Sequence, residues 1–343
     1  MNITICGGGN LGHVCTGYFG SNNENKVSLL TTRPERWSDH VEAIDPEGKI
    51  FRGKIARVSS SAAEVIPDAD LVLACLPGFA IHDVLQSIAP YLKRDAWVGS
   101  VVSSTGFFFE AMKLLPKDQV LFGFQRVPFI SRIIDYGHRA ELKGYKESLG
   151  VAVEHTSRKE EVRQTIERLF GTPTTLLDSY YAVSLSNSNP LLHTSRLYDL
   201  WKEWHPGMFY DRQPFFYSDW TVEASELLIK MDEEFMSLLD VIGLKKGAIM
   251  PILDYYESVD AESLTRKIRS IPAFMGILSP MVAQQEGKYA PDFSSRYFTE
   301  DFPYGMRFIV ETAEKYEMRL PTIQHVYGWG MDSIRNHLAP SRK

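Results

Sequence analysis

The tightest constraint on this chain lies in its first thirteen residues. Asn2-Ile3-Thr4-Ile5-Cys6 reads as a short β-branched strand, and Gly7-Gly8-Gly9-Asn10-Leu11-Gly12-His13 follows at once. Glycines 7, 9 and 12 fit the spacing G-x-G-x-x-G. In that pattern the first glycine permits a tight turn and the second lets backbone approach a pyrophosphate. The third lets the next helix pack closely on the strand. A helix N-terminus also offers free N–H groups and a partial positive charge to an anion. Gly7, Gly9, Asn10, Leu11 and Gly12 are therefore the expected cradle of a dinucleotide. The alternative is a glycine-rich turn that holds no ligand.

The end of the second strand usually selects the cofactor. Lys26 to Arg33 reads as that strand and stops at Pro34. An acid about 20 residues beyond the glycines would hold a ribose 2′-hydroxyl, whereas an arginine accommodates a 2′-phosphate. Here the strand ends Thr31-Thr32-Arg33, with Arg36 a turn later. Thr32, Arg33 and Arg36 thus favour NADP, with NAD second, because a guanidinium binds a phosphate through a charge-assisted fork. Two alternatives stay open: the arginines are solvated surface charges, or Glu35 takes the acid's part.

Further on, Ile50 to Val58 alternates apolar and basic residues as a half-exposed antiparallel pair would. Leu71 to Leu76 is an unbroken apolar run, the mark of a buried parallel strand. Helical spacing follows from Ile81 to Leu92, then a strand from Ala96 to Val102. Strand carboxyl ends border the crevice of a doubly wound sheet. Leu76, Pro77 and Ser103 to Gly106 are accordingly expected on the nicotinamide side, although the serines also suit simple turn chemistry. Val120 to Val127 and Ser148 to Val153 suggest more strands. Lys159 to Phe170 is an amphipathic helix closed by Gly171, so a first domain is expected to end near residue 177.

A chain of 343 residues has room for two cores, and its 44% hydrophobic and 23% charged content is that of a globular protein. No apolar run approaches the roughly 18 residues of a membrane span, and no signal peptide is visible. Cys6, Cys15 and Cys75 have no metal-ligand spacing and read as reduced, buried thiols, so the expected location is cytoplasmic. The net charge of −6 argues against a nucleic-acid surface. Anionic ligands would be drawn by local arginines and helix ends instead.

After residue 177 the periodicity changes to that of helices. Asn189-Pro190 suits a helix start, with Asn as cap and Pro in the first turn, which puts His193 in that turn too. Trp220 to Ile242 carries one apolar stripe and is stopped by Gly243. Ala261 to Ile271 and Tyr304 to Glu317 predict shorter helices. Asp219 reads as a cap, and the tyrosines and tryptophans between 180 and 220 read mostly as packing.

Three blocks of this half carry a family likeness. Ser186-Asn187-Ser188-Asn189-Pro190-Leu191-Leu192-His193 resembles the Asn-Pro-x-x-His segment of the opine dehydrogenases, the octopine and nopaline dehydrogenase family. Phe216 to Thr221 and Arg296 to Gly305 resemble two more of its blocks, and Leu121 to Arg132 is a looser match. The resemblance implies an α/β Rossmann domain over 1–177, doubly wound with a mainly parallel sheet. An all-α substrate domain over 178–343 follows, with the site in the cleft between them. It also implies an oxidoreductase that joins an amino acid to a 2-oxo acid such as pyruvate and reduces the imine with NAD(P)H. His193 and Asp301 match the family's catalytic pair, and Arg296 matches its oxo-acid-binding arginine. The strand ending Thr31-Thr32-Arg33 departs from members that keep an acid there.

Those residue types suit the chemistry. An imidazole ordinarily titrates near 6.5, close to working pH, so it can both give and take a proton. A carboxylate beside it fixes its tautomer, and an arginine can clamp a carboxylate bidentately. Read without the resemblance, His193 is a local hydrogen-bonding partner, Asp301 a helix cap and Arg296 a surface ion pair. Two rival functions stay open: an NADP-dependent 2-hydroxy acid or ketone dehydrogenase of the same architecture, and a non-catalytic NADP(H) sensor. Expected partners are small-molecule substrates, with a homodimer as the quaternary option.

Overall fold

A computed structural model of the chain describes residues 1–338. It divides into two compact units, the first Met1–Ser186 and the second starting at Asn187. Eleven strands of the first unit form one sheet. They are β1 (Asn2–Cys6), β2 (Lys26–Leu30), β3 (His40–Ile44), β4 (Ile50–Ser59), β5 (Leu71–Ala74) and β6 (Trp97–Ser100). The others are β7 (Val120–Phe124), β8 (Phe129–Asp135), β9 (Arg139–Tyr145), β10 (Leu149–Glu154) and β11 (Thr174–Leu176). Their order is β11-β10-β7-β6-β5-β1-β2-β4-β3-β9-β8.

The six strands from β4 to β7 in that order all run parallel. Read along the chain they follow the 3-2-1-4-5-6 order of a doubly wound dinucleotide fold. Side chains alternate between two apolar layers. Ile3, Ile5, Val27, Leu29 and Leu73 face α1 (Asn10–Gly20) and α5 (Lys159–Phe170). Cys6, Leu30, Val72 and Ala74 face the other layer, with α2 (Ala62–Val65), α3 (Gly78–Ile88) and α4 (Phe107–Leu114). Burial on both faces is why these strands read as continuous apolar runs. Antiparallel β3 and the β8–β9 hairpin extend the sheet beyond β4.

The expected break at 177 shifts. Residues 178–186 belong to the first unit, because Val183 of α6 (Tyr180–Ser184) enters the same apolar layer as Phe107 and Phe108. Gln125 also reaches up from the sheet to donate to the Ala182 carbonyl at 3.3 Å.

The second unit is helical: α7 (Asn189–Trp201), α8 (Val222–Val241), α9 (Ile252–Tyr255), α10 (Ala261–Ser270), α11 (Arg296–Thr299), α12 (Arg307–Lys315) and α13 (Pro321–Leu338). A two-stranded ladder, β12 (Met281–Ala283) with β13 (Tyr289–Pro291), is its one sheet among the described residues. α7 starts a residue earlier than its sequence suggests, with Ser188 at the cap and Asn189 inside. The cap of α8 is Thr221, whose hydroxyl accepts from the Ala224 N–H at 3.1 Å. Asp219 caps nothing; its carboxylate accepts the Phe215 N–H at 2.9 Å and faces Arg212. A wide π turn, Phe302–Met306, precedes α12 where a plain helix start is expected. Among the described residues no helix is long and apolar enough to cross a membrane.

Candidate active site

The glycine loop is built as its spacing demands. Gly7 has a φ of +118°, and a Cβ there would stand 2.5 Å from the Cys75 carbonyl oxygen. A Cβ on Gly12 would fall 1.9 Å from the Gly7 carbonyl, so α1 is seated directly on the loop. Gly9 differs: a Cβ there would meet no protein atom within 4 Å. Gly9 is also the N-cap of α1 and contributes no side chain to the first turn. The N–H groups of Asn10, Leu11 and Gly12 thus belong to an uncapped helix start beside open space, the arrangement that accepts a pyrophosphate. These residues fit a dinucleotide.

The loop is braced from below. His13 is buried, with Nε2 accepting the Gly137 N–H at 2.7 Å. Its Nδ1 must then carry the proton that bonds the Gly9 carbonyl at 2.9 Å. Burial pulls its pKa down, so the ring stays neutral in that role. The Asn10 side chain accepts the Ile133 N–H at 2.9 Å, tying the loop to β8. Leu76 is buried against Gly7, and Pro77 caps α3. Thr32, Arg33 and Arg36 are exposed at the end of β2. Both guanidiniums lie over the Tyr136 ring, at 5.8 Å for Arg33 and 4.3 Å for Arg36.

The second unit brings together residues 108 positions apart: His193 Nδ1 lies 2.8 Å from Asp301 Oδ2. Their side chains are 11% and 15% exposed, so the pair is shielded from water. His193 comes from the first turn of α7, and Asp301 from the residue before the π turn. That turn is set by the Met306 N–H bonding back to the Asp301 carbonyl at 2.8 Å, five residues earlier. A carboxylate only accepts, so Nδ1 carries a hydrogen and the neutral ring has its lone pair on Nε2. Nε2 lies 2.8 Å from the hydroxyl of Tyr217. Tyr297 meets the imidazole edge-on at 4.7 Å and stacks on Phe216 at 4.6 Å.

Arg296 is placed differently from the His193–Asp301 pair. Its guanidinium forks onto Glu300, Nε to Oε1 at 2.7 Å and Nη2 to Oε2 at 2.8 Å, with the side chain 83% exposed. Glu300 holds its charge firmly in place, and Asp301 adds to the same field.

Sequence reasoning assigned Tyr217 to packing and passed over Arg196. The latter is a fully buried guanidinium one turn after His193. It donates from Nε to the Phe216 carbonyl at 3.0 Å and from Nη2 to the Asp219 carbonyl at 2.6 Å. Its Nη1 bonds Asp199 at 2.8 Å, which offsets the burial that pulls its pKa down. Arg196 therefore straps the 216–219 segment to α7 and sets Tyr217 over His193. The block Phe216 to Thr221 was the available signal, since Phe216 and Asp219 supply the carbonyls that Arg196 holds and Thr221 donates to Asp199.

Two family models match the chain: residues 176–333 the "NAD/NADP octopine/nopaline dehydrogenase, alpha-helical domain", and residues 3–131 "Ketopantoate reductase PanE/ApbA". An opine dehydrogenase of Haliotis discus hannai is 25% identical over 96% of this chain and 89% of its own. An octopine dehydrogenase solved with NADH and L-arginine superposes with a TM-score of 0.84 at 24% identity, covering 97% of this chain and 89% of the other. A yersinopine dehydrogenase solved with NADP+ has a TM-score of 0.74 at 13% identity, covering 99% and 93%.

Proposed function

We propose that the chain, an NAD(P)-dependent oxidoreductase whose residues 176–333 match the α-helical domain of octopine/nopaline dehydrogenases, condenses an amino acid with a 2-oxo acid such as pyruvate and reduces the imine. The observation that carries this reading is the shielded His193–Asp301 pair. Condensation must put a proton on the carbonyl oxygen, which leaves as water once the C–N bond has formed. An imidazole near neutrality supplies that proton, and the Asp301 carboxylate stabilises the imidazolium and fixes its tautomer. The cofactor supplies the hydride. Overall, one ammonium, one carbonyl, one hydride and one proton give a secondary ammonium and water.

Arg296 is the proposed clamp for the oxo-acid carboxylate, exchanging the fork it now makes with Glu300 for one with the substrate. Gly7, Gly9, Asn10, Leu11 and Gly12 would hold the pyrophosphate, with Leu76 and Pro77 on the nicotinamide side. Thr32, Arg33 and Arg36 would hold a 2′-phosphate, so NADPH is the proposed preference over NADH. The exposed guanidiniums support it, because among the described residues neither is in an ion pair.

The deciding experiment follows nicotinamide absorbance with NADPH or NADH, a set of 2-oxo acids, and each amino acid present or omitted. Consumption that needs both substrates is expected. Consumption without any amine would make the chain a 2-hydroxy acid or ketone dehydrogenase. Tight NADPH binding with no turnover would make it a sensor.

A further inference from the structure

Both nitrogens of His193 are already engaged. Asp301 holds Nδ1, so any proton passed to or from a substrate leaves by Nε2. That nitrogen faces the hydroxyl of Tyr217 at 2.8 Å. Tyr217 is 4% exposed, and its ring is stacked on Phe274 at 4.0 Å and 15°. Trp220 lies parallel at 6.2 Å, and Phe216 meets the ring edge-on at 4.9 Å. Arg196 pins the carbonyls of Phe216 and Asp219 on either side of it. A ring held in this way does not swing aside to uncover Nε2. The half-buried Tyr297 stands beside its hydroxyl and adds to the effect of burial on it.

We propose that Tyr217 is a proton relay, its hydroxyl standing between His193 Nε2 and the reacting carbonyl oxygen. This rests on the imine-reducing function proposed above. As the amine adds to the carbonyl carbon, the Tyr217 O–H bond breaks toward the substrate oxygen. In the same step the phenolic oxygen takes the proton from Nε2 of the imidazolium, leaving His193 neutral. Dehydration repeats the transfer. The ammonium has given one proton to solvent before attack, and the adduct nitrogen gives up a second. The adduct hydroxyl then leaves as water with the proton that Tyr217 delivers. Those two protons, returned through solvent, restore the imidazolium each time. Tyrosine is neutral before and after, and only His193 changes charge. Burial, with Tyr297 beside it, pushes the Tyr217 phenol far above its ordinary range, so a free tyrosinate has no part in the cycle.

Tyr217→Phe keeps the stacked ring and removes the hydroxyl. The expected result is a fall in kcat/KM for the oxo acid of about 100-fold or more, the usual contribution of a positioned proton-transfer group, with NADPH binding by fluorescence unchanged. A second readout is the dependence of wild-type kcat/KM on deuterium fraction in the solvent. Two protons in flight give a curved dependence, and a purely structural tyrosine does not. A Tyr217→Phe enzyme within about threefold of wild type, while His193→Ala is inactive, would overturn the relay alone. So would a linear wild-type dependence, even if the variant is slow or fails to fold. Absence of turnover by the wild-type enzyme with every substrate pair would defeat the proposed function and the relay with it.

Discussion

A Cβ on Gly305 would stand 2.5 Å from Cγ of Pro190 and 2.9 Å from its Cβ. The π turn therefore rests on the first turn of α7 with no space between them. This contact sets the distance between the Asp301 carboxylate and the His193 ring. The proline ring is rigid, so neither partner can yield by a rotamer change.

Gly305→Ala should consequently push the two elements apart. Overpacking of this kind costs about 1–3 kcal/mol, and a displacement of the carboxylate adds a loss of turnover. The expected outcome is a lower Tm together with a lower kcat, while affinity for NADPH holds, since the glycine loop lies elsewhere in the chain. Differential scanning fluorimetry and steady-state kinetics check it. Wild-type values for both would mean that the turn can shift freely.

Asp301→Asn removes the charge and keeps the shape. An amide can present its NH2 to Nδ1, which would place the imidazole proton on Nε2 and reverse the tautomer. A kcat loss of roughly 10²–10⁴-fold is expected. His193→Ala should cost a similar factor, and the double variant little more, because the two side chains act as one unit. Additive losses in that cycle would separate the residues and contradict a shared role.

Parts of this architecture are written openly in the chain. The glycine spacing and the run Leu71 to Leu76 are local patterns, and each depends on neighbours within a dozen residues. The β8–β9 hairpin is not legible, since it sits at the sheet edge with Arg132, Asp135, Arg139, Glu141 and Lys143 in strand or turn positions. α13 is obscured by Gly328 and Gly330, poor helix formers in isolation. Gly330 is there because a Cβ would fall 2.0 Å from the Phe302 ring. The pairing of His193 with Asp301 spans 108 positions, so no periodicity could give it; the likeness of the two blocks did. Tyr217 and Arg196 were hidden for a different reason. A tyrosine among aromatics reads as packing, and a helical arginine reads as surface, until the carbonyls of a distant segment are seen around it.

Asp232 supplies a prediction about stability and pH. Its carboxylate is 8% exposed and accepts the Ile252 N–H at 2.8 Å. Burial, the largest influence, raises its pKa from 3.8 to about 6, against the opposing hydrogen bond. Between those values the folded chain keeps a proton that the unfolded chain releases. Stability contributed by this group therefore falls as pH rises through that window, and the full cost is present above it. Two units correspond to roughly 3 kcal/mol at most. Asp232→Asn keeps an acceptor for Ile252 and carries no charge. It should raise Tm at pH 7 and leave it nearly unchanged at pH 4. An equal effect at both pH values would show that the carboxylate is not held in its neutral form by the fold.

The proposed preference for NADPH rests on Arg33. Its guanidinium and that of Arg36 both lie over the Tyr136 ring, at 5.8 and 4.3 Å. Attraction to the ring positions the cations, and a guanidinium so held still has N–H groups to offer a phosphate. A hydrogen bond to a charged group is worth about 1.5–3 kcal/mol. Arg33→Ala should therefore weaken NADPH by roughly 10- to 100-fold and NADH by no more than about threefold. Titration of nicotinamide fluorescence with each cofactor measures the ratio directly. The wild-type preference should also shrink as salt is raised, because the site is exposed and its attraction is screened. An equal loss for both cofactors would move Arg33 from the 2′-phosphate to a part they share, and the choice would pass to Glu35, whose carboxylate is suited to the free ribose hydroxyl.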